Sequence, residues 1–340
     1  MALTDSLTRR LPTRITTMTR ILAIATLVSN IGIMVTGGAV RLTDSGLGCP
    51  EWPRCTPESW VSTPEMGIHG AIEFGNRLLT YVLIAISMAM FLAIVRLWDS
   101  HRPLVVRSLL IGLGIPLQGV IGGITVWTNL NPWVVGLHFV LSSVLVMLAA
   151  QLLHRVNLEL RHDGEAGRPL VDGPVDSVSS AMAPVLLGAS WIAVVLGTIV
   201  TGTGPHAGDP GAPRHGFDPD LVTRLHTIPV WVLCAATLAI LVRQLRHQAS
   251  PAQRKATWWL VGVILGQATI GYVQHFTGLP ILLVLLHMLG SAVLIAAAIV
   301  LVDRLRAPYR TRGLDRGAPT QASAPGEHRG RRSHPELNGS

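Results

Sequence analysis

Apolar residues gather along this chain in long runs separated by short polar or glycine-rich stretches. Eight runs approach the ~20 residues that cross a bilayer. They cover 21–40, 72–95, 105–127, 133–153, 183–203, 224–245, 257–277 and 281–302. In lipid every backbone polar group needs a partner inside the chain, so the runs are predicted to be helices. A polar stretch rich in Gly, Asp and Ser, 154–182, separates the fourth run from the fifth. The predicted fold is an all-α membrane protein with eight transmembrane helices arranged as two pseudo-symmetric four-helix bundles. Its parts are an N-terminal arm (1–19), a first half (20–153), a linker (154–182), a second half (183–303) and a basic tail (304–340) predicted to be disordered.

The halves repeat in detail. LQGVIGGITVWTNLNPWVVGLH, ending at His138, aligns without a gap on GQATIGYVQHFTGLPILLVLLH, ending at His287. Gln118 falls on Gln267, Gly122 on Gly271, Leu130 on Leu279 and His138 on His287. Val35-Thr36-Gly37 is echoed by Val200-Thr201-Gly202. A repeat of this length implies two similar units. Both begin on the same side, so an axis along the membrane normal should relate them.

Composition supports the membrane reading. Hydrophobic residues make up 49% of the 340 and charged residues 14%, with a mean hydropathy of +0.46. That is far from a soluble domain. The net charge of +8 could suggest nucleic acid, but its distribution excludes that partner. All but five of the 27 basic residues lie on one side of the predicted helices; the five are Arg41, Arg54, Arg77, Arg214 and Arg224. This is the positive-inside bias, and it predicts a multi-pass cell-membrane protein with both termini cytoplasmic.

Cys49 and Cys55 share the first outer loop, where an oxidising compartment permits a disulfide; free thiols are the bland alternative. Cys234 stands alone in run six and is read as core packing.

Four histidines occupy the outer parts of even-numbered runs: His69, His138, His226 and His287. Ionisable groups in a span are costly and face inward with a partner. A lone helix histidine is more often hydrogen-bonded core than a ligand, but repetition favours the ligand. His226 and His287 enter from the same face at similar depth and suit the two axial positions of a haem iron. Zinc needs at least three protein ligands. In the first half His138 matches His287, but the place of His226 is taken by Asn76, with His69 two turns outward on nearly the same face. That asymmetry predicts one closed electron-transfer haem and one more open site. Glu73 lies on the face shared by His69 and Asn76, either as an i,i+4 ion pair with Arg77 or as an acid/base group. Arg41, Arg77 and Arg224 either meet haem propionates or snorkel at the interface.

At these residues the chain resembles the haem A synthases. VRLTDSGLGCPEWPRC is similar to that family's first outer-loop signature, EFGNR to its Glu-x-x-His-Arg element, and the two Leu-His elements to its paired haem histidines. The resemblance covers nearly all of 20–303. It implies oxidation of the methyl group of haem O, the substrate, to the formyl group of haem A for cytochrome oxidase assembly. It also implies a haem b on His226 and His287, a substrate haem near His138, and an essential role for Glu73. Membrane lipid, a haem O synthase and oxidase assembly proteins are the implied partners. Asn76 departs from the family's usual histidine. Two other classes compete: a bis-histidine cytochrome exchanging electrons with quinone, and a transporter built on parallel repeats.

Overall fold

A computed structural model describes residues 11–162 and 175–306. Among the described residues eight long α-helices follow in order: α1 (Thr17–Leu42), α2 (Gly67–Ile94), α3 (Trp98–Trp127), α4 (Pro132–His162), α5 (Ser177–Thr203), α6 (Pro219–Arg246), α7 (Pro251–Phe276) and α8 (Ile281–Leu305). A 3-10 turn at Val95–Leu97 joins α2 to α3, and one at Pro64–Met66 precedes α2. Seven helical segments are long and apolar enough to cross a membrane; the second is the 64-residue stretch Pro64–Trp127, which contains both α2 and α3. Large apolar side chains such as Leu113, Leu238 and Leu265 are exposed on the helices' outer faces, as lipid contact requires.

The helices start where local chemistry ends the preceding loop. Thr16 and Thr19 form a capping box on α1, and Ser250 and Gln253 form one on α7. Asp176 accepts from the backbone N–H groups of Val178 and Ser179, and Asp218 from that of Leu221. Each satisfies donors that no helical carbonyl can reach.

Two apolar cores result. One is built from α1–α4 around Met90, Ile94, Leu104, Ile111 and Leu152. The other is built from α5–α8 around Leu186, Ile240, Leu260 and Leu301, with Cys234 packed against it. A small cluster of Met34, Val146 and Ala292 lies between them. Three polar ties cross the same boundary. Arg155 Nε meets Asp303 Oδ2 at 3.2 Å, Arg41 Nε donates to the His206 carbonyl at 2.7 Å, and the Gly46 N–H donates to the Gly208 carbonyl at 2.9 Å.

The repeat is visible in the backbone. Leu130 and Leu279, aligned in sequence, both adopt the left-handed region, with φ of 58° and 59°. Each closes its turn with the same bond across five residues, Leu130 N to the Thr125 carbonyl and Leu279 N to the Gln274 carbonyl. Left-handed non-glycine residues are uncommon, so the shared conformation is specific.

Most helices begin several residues before the predicted runs, and three boundaries show why. α4 runs to His162 instead of ending at 153, because Val156 and Glu159 are buried against the bundle and give the extension an inner face. α5 begins at Ser177, where Asp176 caps it, rather than at 183. The end of the arm is ordered: Ile15 is buried in the first core, and the Leu11 carbonyl accepts from Arg96. Residues 1–10 of the arm, 163–174 of the linker and 307–340 of the tail lie outside the described residues.

Candidate functional site

Each predicted ligand histidine stands against a glycine of the preceding helix. A Cβ on Gly122 of α3 would lie 3.5 Å from His138 Cε1, and one on Gly271 of α7 would lie 3.4 Å from His287 Cε1. His226 of α6 faces Gly197 of α5 in the same way at 3.2 Å. The missing side chains let the imidazoles tuck between helices. In all three rings Nδ1 is buried with no hydrogen-bond partner among the described residues. A buried imidazole without a polar partner is costly in a purely structural role.

These features fit an iron porphyrin. Two recessed imidazoles in one half suit an iron porphyrin held between two histidines, and their buried, unpartnered ring nitrogens fit a role other than plain packing. Among the described residues no three His, Cys, Asp or Glu side chains gather as a bare ion would need.

Around His138 the surroundings differ. Asn76 of α2 is half-buried, and its Oδ1 accepts from Thr36 Oγ1 of α1 at 2.7 Å. Gly32, the echo of Gly197, has no neighbour within 4 Å of its Cβ position. Asn76 thus turns toward Thr36 and Gly37, where His226 turns toward Gly197. His69 is exposed, and its Nδ1 lies 2.9 Å from Ser45 Oγ at the foot of the outer loop.

Glu73 is buried, and the structure realises the ion-pair reading. Its Oε1 meets Arg77 and its Oε2 accepts from the Cys49 N–H. Arg77 also donates to the carbonyls of Cys49, Glu51 and Arg54. All five guanidinium N–H groups are engaged by Glu73 and the loop, which leaves none for a propionate. Cys49 and Cys55 form a disulfide inside that loop. The loop is fastened a second time by Trp52, whose ring lies over Gly123 of α3 and whose carbonyl accepts from Trp127 Nε1 at 3.1 Å. The loop is thus seated on the helix that also carries Gly122, the glycine facing His138.

Of the other predicted propionate partners, Arg41 is directed across the boundary between the cores, donating to the carbonyls of Thr201 and His206. Arg224 is exposed, two residues before His226. On the same outer side His215 is buried beneath Trp133, with ring centroids 4.3 Å apart. Burial, and then the charge of Arg41, hold its imidazole below the ordinary histidine range.

The structure brings Glu73 to Arg77 and Asn76 to Thr36, and it recesses His138, His226 and His287 each against a glycine. It does not bring His69 and Asn76 onto one partner. Sequence reasoning missed Gln118, Thr36 and the ring-facing glycines, although Gln118, Gly122 and Gly271 all lie in the ungapped repeat.

An all-helical, multi-pass membrane protein with histidines recessed against glycines is the class that fold and site define. The chain belongs to the cytochrome oxidase assembly protein family, whose family model matches residues 20–299. It is similar to the haem A synthase of Caulobacter sp. (strain K31), 29% identical over 81% of this chain and 92% of the relative. It is also similar to those of Dinoroseobacter shibae, 26% identical over 84% and 86%, and Rhodopseudomonas palustris, 25% identical over 88% and 94%.

Proposed function

We propose that this chain is a haem A synthase, an oxidoreductase that converts the methyl group of haem O to the formyl group of haem A. Family membership and relatives of that name matched over most of their length support the activity. The observation that supports the division of labour is the set of three recessed imidazoles, two in the second half and one in the first. His226 and His287 would hold a haem b, which would supply electron transfer. His138 would hold haem O, with Asn76 in place of a second histidine. When bound, these haems supply the redox-active iron. Glu73 holds a proton or a water near the reacting methyl, with Cys49 and Arg77 fixing its carboxylate. Arg41 and Arg224 meet propionates.

The eight long helices are eight spans in two related halves. Pro64–Trp127 would be ~96 Å long as one straight helix, about three times the hydrocarbon thickness, so α2 and α3 each cross once. The shared left-handed turn at Leu130 and Leu279 supports the internal symmetry. Charge bias places both termini in the cytoplasm. A haem O synthase supplies the substrate, and oxidase assembly proteins take the product.

Pigment extraction from the purified protein tests this reading. Haem O and haem A should accompany haem B, whereas haem B alone would mark an electron carrier. Glu73→Gln should keep the second-half pigment and make no haem A; normal haem A in that variant removes Glu73 from the reaction.

A further inference from the structure

The repeat places a glutamine one helical turn to the cytoplasmic side of each ring-facing glycine: Gln118 before Gly122 and Gln267 before Gly271. The two glutamines have different partners. Gln118 Nε2 donates to the backbone carbonyl of His138 at 3.1 Å and to Ser142 Oγ at 2.7 Å. Ser142 Oγ in turn donates to the same His138 carbonyl at 3.0 Å. The turn of α4 that carries His138 is thereby bolted to α3. Gln267 instead packs into the notch at Gly290 of α8, where a Cβ would collide with its amide.

Two further atoms bear on the contact. Gln118 Oε1 and His138 Nδ1 are both buried without a partner among the described residues. An imidazole that ligates iron through one nitrogen normally donates from the other, and removing the group that orients it weakens metal binding. In apolar surroundings a buried amide with an open acceptor is retained at a cost unless it serves such a group.

We propose that Gln118 is the positioning residue of the first-half haem site, holding His138 at fixed depth and rotation through its backbone carbonyl. This inference rests on the reading of His138 as a haem ligand. It assigns the two halves different supports for equivalent histidines. The second-half rings are set by each other and a shared iron. The lone His138 is set by an amide.

The test is titration of purified, detergent-solubilised protein with haem O, followed by absorption spectroscopy and redox potentiometry of each site. Gln118→Leu should weaken first-half binding about tenfold. It should also shift the spectrum and potential of that haem, leaving the second-half pigment and thermal stability unchanged. Gln267→Leu should leave the first-half haem unaffected. If Gln118→Leu binds both haems with wild-type affinity and spectra, the proposal is overturned. It is also overturned if both pigments are lost together, since Gln118 is then a general packing residue. Wild-type protein that binds only one haem would instead sink the two-site reading beneath it.

Discussion

His138 and His287 stand at aligned places on α4 and α8, each against a glycine of the helix before it, yet His287 shares its half with another imidazole recessed in the same way, His226. The first half uses Asn76 in that place and ties it to Thr36. The outer surfaces differ as well. Gly123 seats Trp52 of the disulfide loop, while the matching position in the second half is Tyr272, an exposed side chain that would leave no such seat. The sequence repeat thus carries two recessed imidazoles in one half and, in the other, a single one whose facing helix also seats the disulfide loop.

The largest effect in this comparison should come from the loop's fastening. Arg77→Met leaves the Glu73 carboxylate buried beside a loop it no longer holds. Breaking a buried ion pair from one side costs about 3–5 kcal/mol. Denaturant unfolding in detergent should show that loss; a change under 1 kcal/mol would mean that the loop is held by Trp52 and the disulfide without it.

Asn76→His makes the first half resemble the second and should have an intermediate effect. The added imidazole has open space beside Gly32. With haem O bound, the first-half absorption should move toward the six-coordinate form of the second half. An unchanged spectrum would show that position 76 does not face the iron.

The smallest effect concerns His215, under the outer aromatic residues. Its folded-state value lies below the ordinary 6.5, through burial and then Arg41. The unfolded chain therefore binds the proton more readily, so this contribution is whole above pH about 6.5 and is lost as pH falls through the folded-state value. Unfolding temperatures at descending pH should fall more steeply in wild-type protein than in His215→Phe. Parallel curves would exclude His215 as the titrating group.

Much of the fold was legible because membrane insertion leaves a coarse signal. Runs of apolar residues mark helices. Boundaries failed where helices leave the bilayer, since Val156 and Glu159 are buried by neighbours that periodicity does not reveal. The repeat pointed to His138 and His287, and the structure sets both rings against aligned glycines. The site was not legible at Arg77, whose side chain could equally reach water, a propionate or a carbonyl. Only the folded loop supplied the carbonyls of Cys49, Glu51 and Arg54.

By itself the amino-acid order determined that this chain is helical, duplicated and built for lipid, with histidines repeated at one depth, because those properties follow from local hydrophobicity and spacing. Tertiary structure alone decided which polar groups meet: Asn76 with Thr36, Gln118 with the His138 carbonyl, Glu73 with Cys49. Such pairings depend on the angle and register at which helices distant in sequence pack. A hydrogen bond, unlike apolar burial, is lost when that register shifts by a single residue.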